Sequence, residues 1–186
     1  MAVSTNGELW IVRHGATAWS LAGRHTSYTD IALEQVGEEQ ARALGKRLNV
    51  DDFDLALSSP RQRALRTAEL AGFIPEIEHN LAEWNYGEYE GITTPEIRQT
   101  VPGWTVFSAS SPGGETADEV GVRADQVIAR VTGRTLVFTH GHFGRVLVAR
   151  WLGLPVGAGR YFKLETATIS VLGHEREQPV VRRWNA

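Results

Sequence analysis

Cysteine is absent from the 186 residues, which excludes disulfides, thiolate nucleophiles and cysteine-based zinc or iron-sulfur sites together. Any covalent catalysis must use another atom. No apolar run approaches the roughly 20 residues that span a bilayer, and the opening MAVSTNGE has neither the basic nor the apolar stretch of a secretion signal. A cytoplasmic protein with no membrane partner is expected. A dominant charge is lacking too: 19 Lys and Arg stand against 22 Asp and Glu, a net of -3, which leaves no footprint for nucleic acid. Repeats, low-complexity tracts and linkers are also missing, since SASSPGG at 108–114 is too short to divide the chain. The length suits one domain over 1–186, acting on a small molecule or another protein, with a homodimer left open.

What is present is a set of short apolar strands that end on polar residues. LWIVRH (9–14), DLALSS (54–59) and TLVFTH (135–140) are apolar on both faces, as strands covered by helices on both sides should be. Between the first two lies LEQVGEEQARALGKRLN, with Leu33, Val36, Ala41, Leu44 and Leu48 near helical spacing, which predicts a βαβ unit. After DLALSS, Ser59 is expected to cap a helix with Pro60 in its first turn and Gln62 completing a capping box. TADE at Thr116 to Glu119 opens a second helix running to about Val131, and HFGRVLVARWLG (142–153) makes a third. TISVLGHE and PVVRRWN read as two closing strands. The fold class expected is α/β, a three-layer α/β/α sandwich on a largely parallel sheet.

In such sheets ligands gather outside the carboxyl ends of the strands. Arg13 and His14, Ser58 to Arg63, and His140 would converge there. A pocket with two arginines and two histidines calls for an anion. Phosphate suits the planar guanidinium fork, and a neutral imidazole nitrogen is a competent nucleophile toward phosphorus. Either His14 or His140 could serve. The leaving alkoxide needs a proton, and LAEWNYGEYEG (81–91) supplies Glu83, Glu88 and Glu90 among aromatics. Glu83 beside Trp84 could be kept protonated by an apolar surround, but spacing does not choose among the three.

The motifs RHGAT, GRHTSYTD, SSPRQRALRTA, LAEWNYGEYEG, GGET and VFTHGHFGR, in that order, resemble the histidine phosphatase superfamily, which includes the phosphoglycerate mutases. The resemblance implies the same sandwich, with no metal and no other cofactor. It makes His14 the nucleophile that becomes phosphohistidine, with Arg13 and Arg63 gripping the phosphate, His140 supporting the transferring group and Glu83 donating the proton. The carbonyl of Gly15 would fix the His14 tautomer. Thr17 matches the motif hydroxyl, Thr26 and Ser27 would offer donors to phosphate, and Ser20, Trp84, Tyr86 and Gly141 would border the substrate.

Within the family, the segment between Glu83 and Glu115 has Arg98 as its sole base, and Ser20 stands where phosphoglycerate mutases carry asparagine. Both features argue for a phosphatase over a mutase, one acting on a small phosphate ester such as a sugar phosphate. Arg24, Arg98 and Arg145 are read as surface charges before second-phosphate ligands, and His25 as a residue at the entrance. Two other classes compete: a metalloenzyme using the H-x-H pair His140 and His142, and a non-catalytic phosphate-binding module.

Overall fold

The computed structural model describes residues 7–186. Its elements in chain order are β1 (Glu8–Arg13), α1 (Ala18–Leu21), α2 (Gln35–Leu44), β2 (Leu55–Ser58), α3 (Gln62–Leu70), β3 (Glu76–Ile77), α4 (Thr94–Ile97), α5 (Ala117–Ala129), β4 (Arg134–Thr139), α6 (Gly141–Trp151), β5 (Ile169–Glu175) and β6 (Gln178–Arg183). One sheet runs β3-β2-β4-β1-β5-β6. Its first four strands are parallel, and β5 and β6 close it as an antiparallel hairpin. This is the α/β sandwich on a largely parallel sheet expected from the strand and helix pattern.

Strand side chains alternate between two cores. Leu9, Ile11 and Val137 enter the larger one with Val120, Ala124, Phe143 and Leu147 of α5 and α6. Val12, Leu136 and Phe138 enter the other with Leu44, Ala64 and Ala68 of α2 and α3. The continuous apolar composition of β1 and β4 follows from burial on both faces.

Of three local expectations, one is met and two are corrected. The predicted βαβ unit exists as β1-α2-β2, with β4 lying between its two strands in the sheet. Val36 is exposed, and the inner face of α2 is Gly37, Ala41 and Leu44, continued by Leu48. The reason is close approach: a Cβ on Gly37 would stand 2.1 Å from the Ala16 carbonyl oxygen. The third concerns α3, which begins at Gln62 after an Arg61 cap without a side-chain bond. Asp30 from a distant loop accepts the Gln62 N–H at 2.9 Å instead. The capping box of α5 does form, with Thr116 and Glu119 bonding each other's backbone N–H.

Candidate active site

Sheet register builds the centre. Arg13 pairs with Thr139 across β1 and β4, so the next residues, His14 and His140, emerge side by side with ring centroids 5.3 Å apart. On the other side of β4, Ser58 pairs with Phe138, which brings Ser59 to His140, with Ser59 Oγ 2.7 Å from Nε2. The turn after β1 is held by contacts that side chains would prevent. The Gly15 N–H donates to Thr67 Oγ1 at 3.0 Å, and a Cβ on Gly15 would meet the Gly37 oxygen at 2.4 Å.

His14 Nδ1 donates to the Gly15 carbonyl at 2.7 Å. That bond fixes the tautomer, leaving the lone pair on Nε2. Burial, then the charges of Arg63 and Arg13, hold His14 well below the ordinary imidazole range. His140 is held down in the same way, by burial first and Arg63 next. Both rings are therefore neutral near pH 7, the state in which an imidazole can attack.

The arginines are gripped by neutral oxygens. Arg63, fully buried, donates to the carbonyls of Thr29, Thr26 and Ser27 at 3.1–3.3 Å. Arg13 donates to Leu164 O at 2.7 Å. The exposed Asp30 carboxylate reaches Arg63 at 4.0 Å. Beyond these bonds Arg13 Nε, Arg63 Nε and His140 Nδ1 are buried with no hydrogen-bond partner among the described residues. Buried orphans of this kind are rare and costly, and these three cluster around one imidazole.

Glu83 faces the same cleft. Its carboxylate accepts the N–H groups of Trp84 at 2.9 Å, His142 at 3.0 Å and Phe143 at 2.8 Å. The last two belong to the first turn of α6, an anion-favouring position. The apolar surround expected from Trp84 is not there, because that indole turns into the core and donates to Glu115 O. The two rival carboxylates lie elsewhere: Glu88 is exposed, and Glu90 accepts from Ser27 and Thr29.

The cleft, of about 190 Å³, is lined by Arg13, His14, Ser20, Thr26, Glu83, Tyr86 and Gly141 from the expected set. Arg63 and His140 lie behind it, fully buried. Thr17 is also buried, its hydroxyl capping α1 by accepting the Ser20 N–H. Ser27 and Trp84 are not brought to this cleft: the Ser27 N–H and hydroxyl both bond Glu90, and Trp84 is core. Arg24, His25, His142 and Arg145 border it, whereas Arg98 bonds Trp104 O away from it. Tyr86 Oη lies 2.6 Å from His142 Nδ1; burial, with Glu83 next, pushes that phenol well above its usual range.

Sequence reasoning missed Thr67, and it set Ser59 at the rim and Glu90 among the carboxylates without finding that Ser59 bonds His140 and Glu90 bonds Ser27 and Thr29. Ser59 was assigned to a helix cap, and nothing in the spacing shows that Thr67 or Glu90 fastens a distant loop. Among the described residues no three metal-binding side chains converge; His140 Nε2 is engaged by Ser59 and His142 Nδ1 by Tyr86.

Residues 9–186 match the histidine phosphatase superfamily (branch 1). The chain belongs to that family. It is 42% identical to an acid phosphatase of Mycobacterium tuberculosis, over 91% of this chain and 88% of the relative. It is 33% identical to a sedoheptulose 1,7-bisphosphatase of Saccharomyces cerevisiae, over 78% and 68%. The solved structure of an open reading frame product from Mycobacterium tuberculosis superposes with TM-score 0.93 at 39% identity, covering 97% of both chains. The crystal structure of a putative alpha-ribazole-5'-P phosphatase from Escherichia coli gives a TM-score of 0.84 at 26% identity, covering 97% of this chain and 96% of the other. These histidine phosphatase relatives agree with the phosphatase expected from the motifs.

Proposed function

We propose that the chain hydrolyses small phosphate monoesters through a phosphohistidine on His14. The observation that carries this reading is the group of buried, unpartnered nitrogens, Arg13 Nε, Arg63 Nε and His140 Nδ1, around an imidazole whose tautomer is already set. Phosphate oxygens would satisfy all three. Ser59 Oγ takes the Arg61 N–H at 3.3 Å and gives its own proton to His140 Nε2, so Nδ1 keeps the ring proton and donates to the phosphoryl group.

In the first step His14 Nε2 forms a bond to phosphorus as the ester oxygen leaves, and Glu83 delivers a proton to that oxygen. The three N–H donors around Glu83 then stabilise its carboxylate. In the second step water attacks phosphorus, the N–P bond breaks, and Glu83 takes the water proton. Arg13, Arg63 and His140 stabilise charge on the equatorial oxygens in both steps.

The relative named as a sugar bisphosphatase and the cleft wall support a sugar phosphate as substrate. Tyr86, His25 and His142 offer polar edges for hydroxyls, and Arg24 and Arg145 add positive charge on the leaving-group side. Arg145 is anchored by Gly159 O and Arg160 O and lies over the Phe107 ring at 4.6 Å. Phosphate release from a panel of sugar mono- and bisphosphates, and its loss in a folded His14→Ala variant, tests the reading. Activity retained without His14 would overturn it.

A further inference from the structure

Glu90 is half-buried and lies outside the cleft lining. Among the described residues its carboxylate is bonded by neutral donors alone, all from one short segment. The Ser27 N–H reaches both oxygens at 2.9 Å, the Thr29 N–H reaches Oε1 at 3.0 Å and the Ser27 hydroxyl reaches Oε2 at 2.5 Å. The same segment supplies the carbonyls of Thr26, Ser27 and Thr29 that grip Arg63. It is therefore held between an anion on its N–H side and a cation on its C=O side. The Thr26–Ser27 peptide unit spans the two: its oxygen accepts from Arg63 at 3.1 Å and its N–H donates to Glu90 at 2.9 Å. Its dipole is aligned with both charges, so each bond polarises the group that makes the other. A short ladder sets the spacing, with the Gly91 N–H donating to His25 O at 2.8 Å and the His25 N–H to Ile92 O at 3.0 Å.

We infer that Glu90 is a positioning residue of the phosphate cradle: it fixes the 26–29 segment and, through the carbonyls of that segment, the Arg63 guanidinium. The inference rests on the reading above that Arg63 grips the phosphate. Arg63 depends on such support because it is fully buried with these three carbonyls as its close acceptors, and the exposed Asp30 carboxylate stands 4.0 Å away. A guanidinium fork serves a phosphate well only when its plane is set. Here Thr26 O and Ser27 O on one terminal nitrogen and Thr29 O on the other set it, which leaves the buried Nε for the ligand. Without Glu90 the N–H side of the segment is released, the carbonyls lose their fixed places and the fork loses its plane. Glu90 also shares the 81–91 stretch with Glu83, so the test separates an effect on Arg63 from one on the proton donor.

The test places Glu90→Ala in the full chain, checks its fold by urea midpoint, and measures competitive inhibition by inorganic phosphate together with turnover of dinitrophenyl phosphate and phenyl phosphate. Inhibition weakened about tenfold, the scale of one hydrogen bond to a charged group, with kcat/KM lowered by the same factor for both esters, is the expected result. In an Arg63→Lys background Glu90→Ala should weaken phosphate by less than about twofold, since the guanidinium that Glu90 positions is already gone. Equal losses in the two backgrounds give Glu90 a merely structural role and overturn the inference. Inhibition within about twofold of wild type in the folded variant also overturns it, and a loss confined to phenyl phosphate does so by moving the effect to Glu83. Where Glu90→Ala does not fold, Ser27→Ala, which deletes the hydroxyl bond alone, takes its place in the same cycle with an expected loss of about threefold; unchanged inhibition there overturns the inference. A wild-type chain that inorganic phosphate does not inhibit removes the underlying reading and the inference together, and is seen before any variant is made.

Discussion

Ser59→Ala is a small change with a large expected consequence, because in the proposed mechanism the hydroxyl decides which nitrogen of His140 carries the proton. Ser59 Oγ lies 2.7 Å from Nε2 in a fully buried setting. Without it Nε2 is left unsatisfied, and the ring can shift its proton there and turn a lone pair toward the phosphate. Leaving one buried group without its partner costs about 1–3 kcal/mol. If that loss falls on the transition state, at about 1.36 kcal/mol per tenfold, kcat/KM drops about 5- to 160-fold. The assay compares a dinitrophenyl phosphate with phenyl phosphate. In the proposed mechanism His140 acts on the phosphoryl oxygens, so both substrates should lose activity to the same extent. Values within twofold of wild type for both would refute the tautomer argument, and a loss confined to phenyl phosphate would reassign Ser59 to leaving-group protonation.

Glu83→Gln gives the opposite pattern: a fall of about 10²- to 10⁴-fold in phosphoenzyme formation for phenyl phosphate and little for the dinitrophenyl ester, read by burst kinetics; equal losses would contradict proton donation. Stability should fall as pH drops from 7 to 5. His14, His140 and His142 are held well below the ordinary imidazole value, chiefly by burial, so below about 6.5 the unfolded chain binds protons that the folded chain refuses. A urea midpoint that stays flat or rises on acidification would contradict this sign. Arg145→Met should raise KM for a sugar bisphosphate more than for the matching monophosphate; an equal effect would remove Arg145 from a second-anion role.

The sheet and its rim were legible because their signals are local. LWIVRH and TLVFTH are apolar on both faces in any arrangement that covers both, and the polar pair that ends each strand stands out at once. Membership of the set was legible through the ordered motifs, which resemble one family from Arg13 to Arg145. The register was not: only the pairing of Arg13 with Thr139 puts His14 beside His140, and no periodicity carries that offset. Ser59 illustrates the same limit. A serine before proline and a helix satisfies every local capping rule, yet β4 offers its hydroxyl a buried imidazole and Asp30 takes over at the helix start. Val36 failed because helical spacing alone cannot see that Gly37 is needed for backbone contact with Ala16. Trp84 and Ser27 failed because adjacency in sequence says little about where a loop turns its side chains.

The most direct measurement is to mix the chain with a phosphorus-labelled monoester, quench within milliseconds and map the label by mass spectrometry. An acid-labile, base-stable phosphoryl group on His14 that disappears as inorganic phosphate is released is the predicted result. Label on another residue, or steady turnover with His14 never modified, would contradict it.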